Sequence, residues 1–250
     1  MKLSNSQIEF FWNDGYLVVE ELLGEEGATT LRRRADWVVS GQAKHISKTQ
    51  LLVEPEIEDG QKTADTYAVG SMKHLAFGDE VFEAHARNPK ILDIIESLLG
   101  SDLKLYQDAM FMKPPKVGSR QRHHQDRYRI SPPDMVTCWA ALDDATVENG
   151  CLWMLPGTHK FGILEPERWA EYEKMSLQGN LPEERPVELK TGSCAFHHGL
   201  ILHDSSQPNM TKQRRRGYAT HYVSARCRYT GQSENNDAML VRGREIPGCI

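Results

Sequence analysis

The sequence LKLYQDAMFM at residues 103–112, closed by Pro114 and Pro115, marks the point at which this chain changes from helical to β patterning. Apolar and aromatic residues dominate the run, and two prolines cannot continue a strand's hydrogen-bond ladder. Similar β-favouring runs separated by turn signals follow at residues 136–141, 151–155, 194–202 and 218–223. Many short strands at irregular spacing predict a mainly β fold, as a sandwich, jelly roll or barrel.

The residues before this point predict helices. Ser4 and Gln7 have capping-box spacing at the start of a helix that Asn13-Asp14-Gly15 ends. A strand is predicted at 16–19, a second helix at 25–39 and a third at 89–99, where a proline opens the first turn and a glycine follows the last.

Three segments are harder to place. Residues 42–70 predict a long irregular loop, a helix is predicted between Pro166 and Gly179, and the polar tail from Gly231 is expected to be loosely held. We expect one domain over residues 1–250, with a helical N-terminal part to about residue 100, a β core to about residue 225 and then the tail.

Composition excludes several classes of partner. The chain has 250 residues, a formal net charge of −5 and 39% hydrophobic residues, which favours a globular enzyme-sized domain over a nucleic-acid or membrane-surface protein. No apolar run approaches the roughly 18–20 residues of a membrane span, and the N-terminus lacks a signal-peptide apolar core. The five cysteines are scattered and form no C-x-x-C pair, so we expect a reduced, cytoplasmic chain.

One set of residues predicts a metal centre. In a strand, residues two apart share a face, so His124 and Asp126 would point the same way and His123 the other way. With the distant His203 they form a 2-His-1-carboxylate set, which suits non-haem Fe(II) and leaves coordination positions open. The pattern H-x-D alone is weak, and we interpret three other histidines as structural residues: His45, His85 and His159.

A cationic run follows the distal histidine. A dicarboxylate that chelates iron at one end needs a cation at the other, and arginine offers a bidentate fork. Arg214-Arg215-Arg216 stands at the start of the next predicted strand, where parity separates the middle residue from its neighbours. A solvated basic edge is the alternative interpretation.

At this point the sequence resembles the phytanoyl-CoA dioxygenase-like (PhyH) family of Fe(II)/2-oxoglutarate oxygenases, over nearly the whole chain. The segments that carry the resemblance occur in family order, at residues 7–11, 14–19, 112–115, 124–126, 149–152, 155–160 and 203–209. It implies a double-stranded β-helix, a cupin-like jelly roll with N-terminal helices packed on it. It also implies iron held by His124, Asp126 and His203, with 2-oxoglutarate and O₂ as co-substrates.

The resemblance offers two residues as the arginine that binds the co-substrate. Eleven residues after the distal histidine is Arg214, whereas counting back from His221-Tyr222 selects Arg215, which we assign. Lys73, Trp139 and Ser205 resemble further co-substrate contacts. The segment after His203 reads Asp-Ser-Ser-Gln instead of the family's Gly-rich form, so Ser206 is an alternative to Ser205.

The expected reaction is oxidation, by default hydroxylation, of an unactivated C–H bond in a small-molecule substrate, with decarboxylation of 2-oxoglutarate to succinate and CO₂. No separate acid, base or nucleophile is assigned. Asp126 fills the position that related halogenases leave to a halide, which favours hydroxylation over halogenation. The alternatives are a catalytically silent jelly-roll binding protein and another cupin-type metalloenzyme that does not use 2-oxoglutarate.

Substrate residues are predicted only around the first metal strand. Four arginines crowd it: Arg120, Arg122, Arg127 and Arg129. They indicate either solvent-facing charge or a mouth that attracts an anionic substrate. Parity places Tyr128 on the side of the iron ligands and Arg127 opposite, and both are candidate substrate contacts. The helix around Trp169 is either a lid or an ordinary helix packed on the barrel.

Overall fold

The fold is built on two antiparallel sheets, in a computed structural model that describes residues 2–46, 51–53, 69–116, 121–126, 130–164, 174, 178–179, 182–230 and 238–250. The described α-helices are α1 (Asn5–Asp14), α2 (Gly24–Val39), α3 (Glu80–Ala86) and α4 (Pro89–Leu99), and short 3-10 helices span Val147–Asn149 and Thr158–Phe161. The strands are β1 (Tyr16–Val19), β2 (Leu51–Val53), β3 (Val69–Lys73), β4 (Leu103–Lys113), β5 (Gln121–His124), β6 (Ile130–Ser131), β7 (Met135–Ala141), β8 (Leu152–Met154), β9 (Arg185–Val187), β10 (Cys194–His198), β11 (His203–Ser205), β12 (Arg215–Ser224), β13 (Arg228–Tyr229) and β14 (Met239–Arg242).

The large sheet has the strand order β1-β10-β7-β12-β4-β3-β2, and β14 also pairs with β4. The small sheet has the order β5-β11-β8-β9. Apolar side chains of the two sheets form one cluster, in which Trp139 and Ala219 of the large sheet meet Leu152 and Met154 of the small sheet. The sheets therefore pack face to face, as in the jelly roll that the sequence predicted.

Helices cover the other face of the large sheet. α4 begins with Pro89, after an Asn88 side chain that caps it, and ends at Gly100, as predicted. Its apolar positions Ile91, Ile94 and Ile95 are fully buried and join the core that the helices share with β4, β7 and β12. The amphipathic pattern of α4 therefore places its apolar stripe on the sheet.

The first helix follows its predicted capping box. The Ser4 side chain accepts a hydrogen bond from the Gln7 backbone N–H, and the Gln7 side chain accepts one from the Ser4 N–H. Gly15 ends the helix at φ 85°, the left-handed region that glycine tolerates. The prediction of α1 is confirmed, and α2 begins one residue before its predicted start.

The predicted strand over residues 194–202 is wrong. β10 ends at His198, and β11 begins at His203 in the other sheet. Gly199 lies so close to the chain near the metal centre that a Cβ there would stand 2.9 Å from the Asp126 carbonyl oxygen. Every residue of the run is buried, in the strand as well as in the turn after it, so hydrophobicity did not reveal where the strand ends.

Other expectations are corrected at the ends of the large sheet. The loop predicted over residues 42–70 contains β2 and the first two residues of β3, so the N-terminal part contributes strands as well as helices. The tail from residue 238 is held in place, since β14 pairs with β4 and Ile250 is buried beside Cys227. α3, which the sequence analysis did not predict, is capped by Asp79. The predicted helix after Pro166 falls almost wholly outside the described residues, as do residues 231–237.

None of the helices in the described part of the chain combines the length and the apolar character that crossing a bilayer requires. The five cysteine residues are all free thiols, and four of them are buried.

The three histidines interpreted as structural lie away from the metal centre. His45 Nε2 is 3.0 Å from an Asp79 carboxylate oxygen, and His159 Nε2 is 3.1 Å from the Trp12 carbonyl oxygen. His85 is buried beside the Tyr218 ring, and its Nε2 has no hydrogen-bond partner among the described residues.

His85 is expected to make the fold acid-sensitive. Burial lowers its pKa from 6.5 to about 4. The unfolded chain therefore binds the proton first, so stability is lost as pH falls from 6.5 to about 4, by about 3 kcal/mol. We expect His85→Leu to flatten the pH dependence of the free energy of unfolding across that window, measured by urea denaturation. An equal slope in both proteins would contradict this assignment.

Candidate metal centre and co-substrate pocket

Three predicted ligands meet where β5 and β11 pair. His124 ends β5 and lies directly opposite His203, the first residue of β11, and Asp126 follows two residues after His124. Asp126 Oδ1 is 3.7 Å from His124 Nε2 and 3.8 Å from His203 Nε2. Metal–ligand bonds of about 2.1 Å at right angles separate neighbouring ligand atoms by about 3 Å. Shifts of under about 1 Å would therefore close these side chains around one ion.

Neighbouring groups orient each of these side chains. His203 Nδ1 is 3.1 Å from the Ile201 carbonyl oxygen, and a hydrogen bond there leaves Nε2 to face the ion. The Thr137 hydroxyl donates to Asp126 Oδ2 at 3.0 Å, and His197 Nε2 lies 3.1 Å from the same oxygen. Asp126 therefore presents Oδ1 to the ion, while Oδ2 is held by the protein.

The surroundings of Asp126 and His203 favour the protonation states in which these side chains bind a metal ion. Burial raises the pKa of Asp126, but the charge of His203 and hydrogen bonds from His197 and His221 outweigh it and hold that pKa well below its ordinary value. Burial, together with the charge of His124, holds the pKa of His203 well below its ordinary value. An ionised carboxylate and a neutral imidazole are the protonation states that ligate a metal ion.

Sequence reasoning missed the residues that hold Asp126 Oδ2. His197 is on β10, Thr137 is on β7, and His221, whose Nε2 lies 3.4 Å from Oδ2, is on β12. Each is on a different strand of the large sheet, so no short motif links them. Residues 137 and 139 of β7, and residues 215 and 221 of β12, are an even number of positions apart and therefore share one face of their strand. With the strand register known, this alternation would have identified the missed residues.

The three metal ligands line a cavity in the protein. Arg215 also lines this cavity, and its two neighbours in the sequence do not. Its side chain is 1% exposed, and its Nη2 donates to the Gly150 carbonyl at 3.0 Å and to Ser205 Oγ at 3.3 Å. Its guanidinium also stands 5.5 Å from the Trp139 ring centroid, within cation–π range.

The guanidinium groups of the flanking arginines point to the opposite face of β12. Arg214 Nη1 is 3.4 Å from Asp36 of α2, and Arg216 binds both Asp36 and Asp143. Strand parity therefore separates the triplet as expected, and the solvated-edge interpretation does not describe Arg215.

The Trp139 ring depends on a glycine in the neighbouring strand. A Cβ at Gly217 would stand 1.9 Å from Trp139 Cζ2, far closer than atoms can approach. Glycine thus leaves the space in which the indole lies along the cavity.

Gly217→Ala is expected to displace this ring. We expect a loss of about 1–3 kcal/mol in the free energy of unfolding, since overpacking forces side chains and backbone to shift. Denaturant titration followed by tryptophan fluorescence measures it. Gly78→Ala, at a glycine where an added Cβ would meet nothing closer than 4.0 Å, is the comparison for a general Gly-to-Ala effect. Equal losses in both variants would refute the packing explanation.

Of the other predicted co-substrate contacts, Trp139 and Ser205 line the cavity, and Ser206 does not. Lys73 is exposed at the end of β3 and is not among the lining residues. A lysine of the Met112–Pro115 motif, Lys113, lines it instead, directly opposite Arg215 in the β4–β12 pair. Its Nζ donates to the Gln207 carbonyl at 2.6 Å.

Predicted substrate contacts lie outside the described residues. This applies to Arg127, Tyr128 and two of the other arginines, Arg120 and Arg129, and the side chain of Arg122 is not described either. The predicted alternation of side chains along the first metal strand is seen at the described residues. His123 turns away from the metal centre, and the Gln125 side chain donates to the Leu200 carbonyl at 2.7 Å.

The cavity joins the metal ligands to the cationic end. Its volume is about 220 Å³, and its wall includes His124, Asp126, His203 and Arg215. Two imidazoles and a carboxylate fit Fe(II) with open positions, and a buried guanidinium fits the far carboxylate of a dicarboxylate. The residues present therefore fit both iron and 2-oxoglutarate.

Comparison with known proteins agrees with this site. A profile of the phytanoyl-CoA dioxygenase (PhyH) family matches residues 11–217. The human peroxisomal phytanoyl-CoA dioxygenase is 28% identical over 258 residues, covering 96% of this chain and 75% of that protein. A probable phytanoyl-CoA dioxygenase of Caenorhabditis elegans is 28% identical over 250 residues, covering 91% of this chain and 78% of that protein.

Solved structures share the fold. EctD from S. alaskensis with bound Fe has a TM-score of 0.77 at 20% identity, over 98% of this chain and 88% of that one. The epimerase SnoN in complex with Fe³⁺, alpha ketoglutarate and nogalamycin RO has a TM-score of 0.73 at 21% identity, over 98% of this chain and 93% of that one. Together with the profile match, these comparisons show that the chain belongs to the phytanoyl-CoA dioxygenase (PhyH) family, whose members use Fe(II), 2-oxoglutarate and O₂.

Proposed function

We propose that this chain is an Fe(II)/2-oxoglutarate-dependent oxygenase that hydroxylates a C–H bond of a small molecule. One observation carries the proposal: His124, Asp126 and His203 converge on the wall of a cavity that the buried Arg215 also lines. Family membership supports the class of enzyme, and hydroxylation is the specific outcome that we propose.

Each of these residues has a role that follows from its chemistry. His124, Asp126 and His203 would hold the iron, and Arg215 would hold the far carboxylate of 2-oxoglutarate with its planar fork. When bound, iron with 2-oxoglutarate and O₂ supplies the oxidising power, as 2-oxoglutarate is converted to succinate and CO₂. Trp139 packs beside the guanidinium, and the walls of the cavity limit the access of water.

Asp126 supports hydroxylation over halogenation, because its carboxylate occupies the position that a halide would need. Thr137 and His197 hold its second oxygen, so the carboxylate is fixed in that place. Epimerase and carbocyclase structures share this fold, so the fold alone does not decide the outcome.

The cavity wall supports a substrate with an apolar segment. Leu52 and Val53 of β2 line the cavity although 48% and 41% of their surfaces remain exposed, and Phe111 stands on the same wall. Relatives named for phytanoyl-CoA act on a molecule that joins an apolar chain to an anionic carrier. We propose a substrate of that mixed kind, in which the arginines between residues 120 and 129 attract the anionic group.

Two measurements test the proposal. Anaerobic addition of Fe(II) and 2-oxoglutarate should produce the visible charge-transfer band of a chelated 2-oxo acid. A turnover screen should then find a substrate that couples succinate formation to a product with one added oxygen atom. The panel contains acyl-CoAs, carboxylates, amino acids and phosphonates, each with a neutral analogue.

The alternatives give different results in the same experiments. Binding of Fe(II) with no band and no succinate would indicate a silent jelly-roll protein. Consumption of O₂ that does not depend on 2-oxoglutarate would indicate another cupin-type metalloenzyme. A desaturated or epimerised product, formed together with succinate, would support an Fe(II)/2-oxoglutarate-dependent enzyme but would show that its reaction is not hydroxylation.

A further inference from the structure

We propose that the outer face of the small sheet carries a second divalent-cation site, formed by His123, Glu184 and Asp204. It lies apart from the iron triad and does not depend on the proposed oxygenase function. It would bind a first-row transition-metal ion such as Zn²⁺.

The three side chains come from separate parts of the small sheet. His123 is on β5, Asp204 is on the neighbouring β11, and Glu184 directly precedes β9. His123 Nε2 is 2.7 Å from Glu184 Oε1 and 4.0 Å from Asp204 Oδ2. One ligand atom from each residue lies within 4.8 Å of the other two. His123 and Asp204 each adjoin an iron ligand, so strand alternation turns them to the opposite face.

The environment of the Asp204 carboxylate favours a bound cation. Its side chain is 6% exposed, Ser206 hydrogen-bonds the carboxylate, Oδ2 lies 4.0 Å from His123 Nε2, and Oδ1 is buried with no hydrogen-bond partner among the described residues. A buried carboxylate oxygen without a donor is costly, and a bound cation offsets that cost.

The donor set and its spacing suit a transition metal. One imidazole and two carboxylates are ligands for Zn²⁺ and its neighbours, whereas Ca²⁺ takes six to eight oxygens. Tetrahedral ligands with bonds of about 2.05 Å stand about 3.3 Å apart, so the two pairs that His123 makes need shifts of about 0.7 Å or less, and the Glu184–Asp204 pair, within 4.8 Å, needs about 1.5 Å or less. Glu184 is about one-third exposed, which gives the ion access and a place for water.

A bound ion would join strands that also carry the iron ligands. β5 carries His124, β11 carries His203, and Glu184 would link both to the start of β9. The second site is therefore placed to hold the iron-bearing strands together, and it borders the co-substrate cavity at Asp204, which also belongs to the cavity wall.

Zn²⁺ stoichiometry tests the proposal. The full chain, stripped with a chelator, is dialysed against Zn²⁺, and the bound metal is measured per chain. Two ions are expected for the unchanged chain, one at each site, and one for Glu184→Gln. Glu183→Gln removes the same charge from the neighbouring exposed carboxylate, and it should still bind two ions.

Several results would overturn it. Equal stoichiometry in Glu184→Gln and the unchanged chain would exclude the site. If Glu183→Gln lost the same amount of Zn²⁺ as Glu184→Gln, the binding would be due to general surface charge and not to this site. Glu184→Gln must also keep the Fe(II)/2-oxoglutarate charge-transfer band, because its loss would mean that the two clusters are not separate. His123→Gln, a second partly exposed position, should repeat the loss of one ion if the first variant folds poorly.

Discussion

Asp126→Ala is expected to reduce succinate formation from 2-oxoglutarate to background, by about 1,000-fold or more, equivalent to about 4 kcal/mol of activation free energy. The change removes the carboxylate whose Oδ1 stands 3.7 Å from His124 Nε2 and 3.8 Å from His203 Nε2. It also leaves the Thr137 hydroxyl and His197 without the acceptor that they share. Succinate is measured by mass spectrometry at saturating Fe(II), and bound iron is measured separately.

A nearby aspartate provides the comparison. Asp134, half exposed and 3.4 Å from His198 Nε2, lies outside the cavity wall, so Asp134→Ala should keep most of the turnover. Unchanged succinate production in Asp126→Ala would refute the assignment of the metal triad. A loss of turnover with iron binding intact would assign Asp126 a role other than holding the metal.

Arg215→Lys is expected to raise the KM for 2-oxoglutarate about 100-fold, equivalent to about 2.7 kcal/mol. Lysine keeps the charge, but it replaces a planar fork that can bind a carboxylate through two parallel hydrogen bonds. The shorter donor set also loses the contacts that Arg215 Nη2 makes with Gly150 and Ser205. Steady-state kinetics gives KM, and anaerobic titration of the charge-transfer band gives the affinity directly.

Arg214→Lys is the matched control, because the same chemical change falls on the adjacent residue, directly before β12. Its guanidinium faces Asp36 on the helix-covered side of the sheet, so the KM for 2-oxoglutarate should stay within about twofold. If Arg214→Lys raises KM and Arg215→Lys does not, Arg214 is the co-substrate residue. The pair therefore decides between the two positions that spacing arguments left open.

Local sequence patterns predicted much of the secondary structure. The Ser4 capping box and the Pro89-to-Gly100 boundaries of α4 are confirmed because caps act within one helical turn. β4 ends one residue beyond its predicted limit, and β12 begins three residues before its predicted run and ends one residue after it. The alternation that turns His123 away from His124 is also local, since it depends only on the pleat of one strand.

Patterns failed where burial is uniform or pairing is distant. The run from Cys194 to Leu202 contains one strand, β10, and the turn that leads to β11, and hydrophobicity cannot separate them when both are buried. The polar tail gave no sign that β14 would pair with β4. That pairing depends on a strand more than a hundred residues earlier in the sequence, which no local pattern in the tail can reveal.

The sequence by itself determined the fold class, the candidate iron ligands and the direction in which each side chain of a strand points, because these follow from the backbone period of two and from short motifs. Tertiary structure alone decided which side chains meet. It placed His197, His221 and Thr137 around one oxygen of Asp126, set Arg215 rather than Arg214 on the cavity wall, and brought His123, Glu184 and Asp204 together. These contacts depend on the pairing register of strands that are far apart in sequence, and a shift of one residue would turn every one of them to the other face.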